Sequence, residues 1–107
     1  MVDIAKKVNI TLLNQLYGEL LTANQKEAVT MYYDMDMSLM EISEQYGISR
    51  QGVRDTLKRA EQQLVDYEHK LGLLRRRTEA VERLNALKGR SPSIDGEIDA
   101  IIGLLEE

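Results

Sequence analysis

The most sharply patterned stretch lies between residues 38 and 57 and predicts two short helices joined by a tight turn. Ser38 and Glu41, three residues apart, form the capping-box pattern that starts a helix. Gly47 predicts the end of that helix, because glycine adopts the positive φ of a helix C-terminus without a Cβ clash. Ser49 predicts the N-cap of the second helix.

Within this helix-turn-helix pattern the inner positions are apolar or small, and the outer positions are polar. The inner positions are Ile42, Ser43, Tyr46, Ile48 and Val53. Arg50, Arg54 and Lys58 are spaced four apart, so they form one basic row on the second helix. A second helix of this kind enters the DNA major groove in known proteins, which indicates a nucleic-acid-binding fold. An ordinary helical corner with a solvated basic face is the alternative.

After Ser49 the apolar positions alternate by four and three, as in a heptad repeat. They are Val53, Leu57, Ala60, Leu64, Tyr67, Leu71, Leu74, Thr78 and Val81. Gly72 falls off this stripe, so we predict one helix from Arg50 to about Lys88, roughly 55–60 Å long. We expect the apolar stripe in the C-terminal half of this helix to be buried against a second copy of the chain or against the C-terminal helix. A break near Gly72 with an intramolecular hairpin is the alternative.

The flanking segments also predict helices. We expect a mobile start over residues 1–8, then a helix over 10–20 whose apolar face is Leu13, Leu16, Tyr17 and Leu20. A second capping box, Thr22 with Gln25, predicts a helix that runs through Met35 with Ala28, Val29, Tyr32 and Tyr33 inward.

The C-terminal segment is set apart by the only proline-containing stretch of the chain. Residues 89–93 contain glycine and proline and predict the end of the long helix. Ser93 predicts the cap of a last helix over 94–105. Its expected stripe is Ile94, Ile98, Ile101 and Leu105, with Ile102 beside it.

These patterns together predict an all-α protein with a helix-turn-helix head, a long C-terminal helical extension and a short last helix. We assign residues 1–64 to the head and 65–107 to the extension, which we expect to dimerise. The expected dimer or packing residues are Leu64, Tyr67, Leu71, Leu74, Val81, Ile98, Ile101 and Leu105.

Charge is unevenly distributed along a chain whose net charge is −4. Residues 49–90 carry eleven basic and six acidic residues, a net +5, whereas residues 91–107 carry five acidic residues and no basic one. The positive charge therefore lies on the proposed recognition helix and its extension, which suits local, salt-dependent contact with a phosphate backbone. Arg75, Arg76 and Arg77 are the densest basic cluster, and we interpret them as a solvated helix surface because adjacent residues point in different directions.

No pattern of catalytic or metal-binding residues stands out. Cysteine is absent, which excludes a disulfide framework and fits the reducing cytoplasm. No apolar run reaches the length of a membrane span, so we expect no membrane insertion. His69 is the only histidine and has no partner nucleophile, and no phosphate-binding glycine loop occurs. We expect a non-enzyme without cofactor or metal.

The stretch from Leu21 to Leu64 resembles region 4 of bacterial sigma factors. The resemblance rests on Leu21-Thr22, Gln25, Tyr32-Tyr33, Glu41-Ile42, the run over residues 47–50 and Arg59-Ala60. The size and the charged helical flank resemble the narrower YlxM family of small bacterial helix-turn-helix proteins, encoded beside signal recognition particle genes. Gly52 departs from the region 4 pattern, which has a helix former there, and glycine costs about 1 kcal/mol relative to alanine.

This resemblance implies a DNA-binding transcription regulator, linked through gene neighbourhood to the signal recognition particle pathway. The residues we expect to meet duplex DNA are Ser49, Arg50, Gln51, Arg54, Lys58 and Arg59. The alternative is an interaction module without DNA affinity, whose partner is a protein or RNA of the signal recognition particle system. The pair Tyr32 and Tyr33 and the C-terminal helix would then be the contact candidates.

Overall fold

The structure is a computed structural model that describes residues 4–106, and every regular element within that range is helical. The α-helices are α1 (Ile4–Tyr17), α2 (Ala23–Val29), α3 (Leu39–Tyr46), α4 (Arg50–Leu71), α5 (Leu73–Ala86) and α6 (Pro92–Leu105). A 3₁₀ turn covers Gly18–Leu20, and a π-helical turn covers Thr30–Asp34. The predicted all-α fold class is confirmed.

The chain divides into two compact units, of which the first ends at Leu71 and the second begins at Gly72. We placed the end of the head at residue 64, and α4 continues from there to Leu71 within the first unit. Helix α4 is the centre of this unit, since α1, α2 and α3 all pack against it. The predicted stripe of Val53, Leu57, Ala60 and Leu64 is buried, as predicted.

The first helix begins earlier than we predicted. Residues 4–8, expected to belong to a mobile start, are helical, while residues 1–3 lie outside the described part of the chain. Lys6 explains part of this order, because its ammonium pairs with Glu61 of α4 at 2.9 Å. The inward assignment of Leu20 was wrong: the 3₁₀ turn that follows α1 directs this side chain outward, and it is 56% exposed.

The second predicted capping box is present at the start of α2. Thr22 Oγ1 accepts a hydrogen bond from Gln25 N, and Gln25 Oε1 accepts one from Thr22 N, at 3.2 and 3.1 Å. These bonds satisfy backbone donors that a helix start leaves unpaired. The helix then widens into the π-helical turn, which places Tyr33 in the core and leaves Tyr32 half-buried.

The prediction of one helix from residue 50 to about residue 88 was wrong, and the alternative break near Gly72 is confirmed. Gly72 has a φ of +65°, in the left-handed region where glycine is favoured because it has no Cβ. It ends α4 and stands as the N-cap of α5, where its carbonyl accepts a hydrogen bond from Arg76 N at 3.0 Å. The heptad spacing therefore continues in sequence across a point where the helix itself does not.

In the second unit α5 and α6 pack against each other, and residues 87–91 connect them. The predicted cap Ser93 was wrong: Ser91 Oγ accepts the hydrogen bond from Ile94 N at 3.3 Å. The helix therefore starts at Pro92, directly after this cap and two residues before the predicted start, because proline has no N–H to satisfy and its φ already suits a first helical turn. Lys88 forms an ion pair with Asp99 across the connection.

The buried stripe of α6 also differs from the prediction. Ile98 is buried, and Ile102 and Leu105 are half-buried, so the inward face follows a spacing of four and then three. Ile94 and Ile101, expected on the same stripe, are 45% and 44% exposed. They lie beside the contact with α5 rather than on it.

Candidate nucleic-acid interface

The helix-turn-helix predicted from residues 38–57 is formed by α3 and α4. Ser38 Oγ accepts from Glu41 N and Glu41 Oε1 accepts from Ser38 N, both at 3.1 Å, as the capping box predicted. Gly47 ends α3 with a φ of +67°. Ser49 Oγ then accepts a hydrogen bond from Gly52 N at 3.0 Å, which fixes the first turn of α4.

Packing between these two helices decides which side of α4 faces outward. Ile42 of α3 is fully buried and Val53 of α4 is 1% exposed, so the inner surfaces of both helices are closed. Ser43 is also buried, and its hydroxyl donates to Met40 O at 2.7 Å within α3. The inward assignment of Ile48 was wrong, since this turn residue is 46% exposed.

All six residues predicted to meet DNA lie on the exposed surface. They are Ser49, Arg50, Gln51, Arg54, Lys58 and Arg59. Within residues 4–106 none of the four basic side chains forms an ion pair with a carboxylate. The nearest acid along the helix, Asp55, instead accepts a hydrogen bond from Gln51 Nε2 at 2.9 Å. The row of positive charge is therefore available to an external anion, whereas part of the Gln51 amide is already engaged.

A groove between the first turns of α3 and α4 adds residues that the sequence analysis did not assign to the site. Its lining is Ser38, Leu39, Met40, Ser49, Arg50, Gln51 and Arg54. The capping box at Ser38 was the signal that could have placed the start of α3 here, but only the packing shows that it adjoins Arg50 and Arg54. The two guanidinium groups and the N-terminus of α4 suit a phosphate, because charge-assisted hydrogen bonds and the helix dipole favour negative charge there. The N-terminus of α3 is already capped by Ser38 and the Glu41 carboxylate.

Two tyrosines near these helices have structural roles. Burial, followed by the nearby Glu27 carboxylate, raises the pKa of Tyr46 to about 12, although its hydroxyl makes no well-formed hydrogen bond to a described residue. Burial and then Glu61 raise the pKa of Tyr33, which is 2% exposed. Tyr33 is therefore a core residue, and only its neighbour Tyr32, whose ring meets it edge-on at 5.0 Å, reaches the surface.

The residues predicted for dimerisation or packing fall into two groups. In the first unit Leu64 is fully buried, Tyr67 packs its ring 6.0 Å from that of Tyr17, and Leu71 is 46% exposed. Those of the second unit are Leu74, Val81 and Leu105, which are half-buried, Ile98, which is buried, and Ile101, which is exposed. Leu64 and Tyr67 thus serve the core of the first unit.

The described residues contain no cluster of three or more potential metal ligands. His69 is exposed near the end of α4. Between residues 4 and 106 no helix is both long and apolar enough to cross a membrane.

Comparison with known proteins identifies the family. Residues 4–101 match the model of UPF0122, a family described as helix-turn-helix proteins like YlxM and p13. The chain belongs to this family. It is 40% identical to the UPF0122 protein YlxM of Bacillus subtilis over an alignment of 107 positions that covers 98% of this chain and 97% of that protein. A UPF0122 protein of Geobacillus kaustophilus is 41% identical, with 97% of both chains covered. One from Desulforamulus reducens is 51% identical over 84 residues, covering 75% of this chain and 72% of the relative.

The predicted resemblance to the YlxM family is thereby confirmed, and the helix-turn-helix is a family property rather than an isolated pattern.

Proposed function

We propose that this protein is a cytoplasmic, non-catalytic regulator that binds duplex DNA with α4 in the major groove. The observation that carries this proposal is the exposed row of Arg50, Arg54 and Lys58, which has no carboxylate partner among residues 4–106. A buried or neutralised row would have favoured an ordinary helical corner. The groove at the start of α3 supports the proposal, because it offers a phosphate site beside that row.

Each residue of the surface has a role in this proposal. Arg50 and Arg54 pair with guanine edges, and Gln51 pairs with adenine once its bond to Asp55 opens. Lys58 and Arg59 contact phosphates, and Ser49 holds a phosphate at the start of α4. The protein acts as a homodimer in transcription regulation, so that two copies of α4 read a two-fold site.

The test is fluorescence anisotropy with duplex DNA from upstream of the protein's own gene, measured across a salt series beside a random duplex. Arg54→Ala should weaken binding to the preferred duplex about 5- to 150-fold, corresponding to one lost base contact. Lys58→Ala should weaken binding to all duplexes alike and lower the salt slope by about one. Arg90→Ala is the control, since Arg90 is exposed outside the helix-turn-helix.

Equal affinity of the wild type and Arg54→Ala for the preferred duplex would refute the assigned recognition surface.

A second candidate is an adaptor that contacts a protein or RNA of the signal recognition particle system. The acidic helix α6 favours it, because this helix contains Asp95, Glu97 and Asp99 and no basic residue, and its Ile94 and Ile101 side chains are exposed. This candidate expects no duplex affinity above a weak, salt-sensitive background. Signal recognition particle RNA in the same anisotropy series discriminates the two, since only the adaptor predicts a preference for that RNA.

A further inference from the structure

The second unit leaves much of its apolar surface uncovered. Helix α5 has no fully buried residue, and α6 has only Ile98. The exposed large apolar residues of the unit are Leu73, Leu87, Ile94, Ile101 and Leu104, with exposures between 44% and 69%. A two-helix unit of this size buries too little surface to be stable alone, since chains below about 40 residues need further stabilisation.

Helical geometry places these residues on one face. On α6 the contact with α5 centres on Ile98, Ile102 and Leu105, and at 100° per residue Ile94, Ile101 and Leu104 all fall to the same side of it. On α5 the half-buried residues are Leu74, Ala80, Val81 and Leu84, with Arg77 among them. Leu73 and Leu87 fall to one side of that centre by the same rule.

The short connection over residues 87–91 makes α5 and α6 antiparallel neighbours, and this brings the two sides together. Seen along one common direction, successive residues turn clockwise around one of two antiparallel helices and counterclockwise around the other. The exposed residues of both helices lie at negative angles from the centre of the α5–α6 contact, so they lie on the same side of the pair. The exposed residues of the two helices therefore form a single surface. We name it the uncovered face, consisting of Leu73, Leu87, Ile94, Ile101 and Leu104.

The rims of the uncovered face carry opposite charges. Arg76 and Arg83 lie at its α5 edge, and Glu97 lies at its α6 edge. Within residues 72–106 the basic residues all precede α6, while α6 itself contains three acidic residues and no basic one. Arg83 pairs with Glu79 of its own helix at 2.8 Å, but both side chains are mostly exposed, and such a pair contributes little.

We propose that a second copy of this chain covers the uncovered face, with α5 of each subunit packed on α6 of the other. This inference rests on the homodimer in the proposed function and names its surface. A two-fold axis parallel to the helices sets basic edge against acidic edge and places Arg83 opposite Glu97 of the partner subunit. A two-fold axis across the helices would instead set α5 against α5, with arginine facing arginine, which like-charge repulsion disfavours.

The size of the face sets the strength of the association. From Leu73 to Leu87 the helix rises about 21 Å at 1.5 Å per residue, and two adjacent helices are about 20 Å wide. The face thus covers on the order of 400 Å² per copy, or about 800 Å² in total, which is the size of a weak and transient interface rather than of a permanent dimer. We expect dissociation in the micromolar range without DNA. When two copies bind one DNA through their helix-turn-helix units, the DNA raises the effective concentration of each second unit for the other and so strengthens the dimer.

A charge exchange between subunits tests this pairing in the full chain by sedimentation equilibrium, from about 1 to about 300 µM, the range such an interface requires. Arg83→Glu alone and Glu97→Lys alone should each weaken self-association at least about tenfold, because both contacts in the dimer become repulsive. An equimolar mixture of the two variants should associate as a heterodimer, since each contact then joins opposite charges. The double variant R83E/E97K should self-associate again.

The apolar part has its own matched pair of variants. Leu104→Glu places a charge on the uncovered face and should abolish association, whereas Ala86→Glu places one on the outer side of α5 and should not. Circular dichroism should show unchanged helix content for both, because both positions are exposed. A wild-type chain that stays monomeric over the whole range, or single variants that no mixture rescues, would overturn the proposal.

The DNA measurement separates this proposal from the function it rests on. If a strictly monomeric protein binds duplex DNA through Arg54, the proposed dimer contact at the uncovered face is refuted and the DNA-binding function stands. If the charge variants exchange as predicted but no duplex binds, the dimer contact stands and the DNA-binding function is refuted.

Discussion

The two units of this protein bury their apolar residues to very different extents. Among the residues that the structure describes, thirteen apolar side chains are buried in the first unit, whereas in the second unit only that of Ile98 is buried. The first unit therefore has a core of its own, which fixes the outward direction of Arg50 and Arg54. The second unit has a helix pair with an incomplete core, and its exposed apolar residues are better explained as a contact surface. We therefore propose that recognition and assembly lie in separate parts of the chain.

The difference in burial predicts a large difference in the effect of removing a leucine. Leu64→Ala should lower the free energy of unfolding by about 2–5 kcal/mol, because it leaves a cavity in the core of the first unit. Leu104→Ala should lower it by less than about 0.5 kcal/mol at submicromolar protein, since Leu104 is 69% exposed. Urea unfolding followed by circular dichroism measures both. Similar losses for the two variants would mean that the second unit has a core of comparable density.

The junction between the units depends on one backbone conformation. Gly72→Ala should cost about 1 kcal/mol, because alanine is strained at positive φ and its Cβ would displace the Arg75 guanidinium, 2.8 Å away. Gly72→Asn should cost less, since asparagine enters the left-handed region more easily. Urea unfolding gives the free energies, and far-ultraviolet circular dichroism gives the helix content. Increased helicity without loss of stability in Gly72→Ala would show that the continuous helix is accessible after all.

Alkaline pH should act on the first unit through its tyrosines, because all five tyrosines of the chain lie in that unit. The folded-state pKa of Tyr46 is about 12, above the value near 10 of an exposed tyrosine. Between these values the folded chain keeps a proton that the unfolded chain has lost, so stability is complete below about pH 10 and falls as pH rises toward 12.

Tyr46→Phe should reduce this alkaline loss and change stability at pH 7 by less than about 0.5 kcal/mol, because the hydroxyl has no well-formed bond to a described residue. Urea unfolding at a series of pH values checks both effects. Part of the loss should remain in the variant, since the pKa of Tyr33 is raised as well. An unchanged pH profile would show that Tyr46 ionises normally in the folded protein.

Predictions that depended on neighbouring residues succeeded. The capping boxes at Thr22 and Ser38 and the glycine at position 47 are all present as predicted. Each is settled by hydrogen bonds or backbone freedom within three or four residues, so the local sequence contains the whole cause. The exposure of the predicted DNA-binding residues followed from the stripe of Val53 and Leu57, although their contact with DNA stays a prediction.

Predictions that extrapolated a pattern across a larger distance failed. The heptad spacing favoured a continuous helix through Gly72. The same spacing is compatible with two consecutive helices, and the structure has two, α4 and α5. The cap of α6 is an exception, because it was missed although its cause is local: Ile94 N donates to Ser91 Oγ, three residues away, and proline occupies the first turn. Ile94 and Ile101 fit an apolar stripe in sequence, but the direction from which α5 approaches left them uncovered.

By itself, the sequence determined the starts of α2 and α3, the end of α3, the buried side of α4 and the membership of residues 4–101 in a helix-turn-helix family. Capping, glycine conformation and apolar periodicity act over one or two helical turns, so a short continuous segment of the sequence contains the residues that determine them. Only the tertiary structure decided that α4 stops at Leu71, that the start of α3 adjoins Arg54, and that one face of the second unit is uncovered. These features depend on which helices pack together, and residues far apart in the chain decide that jointly.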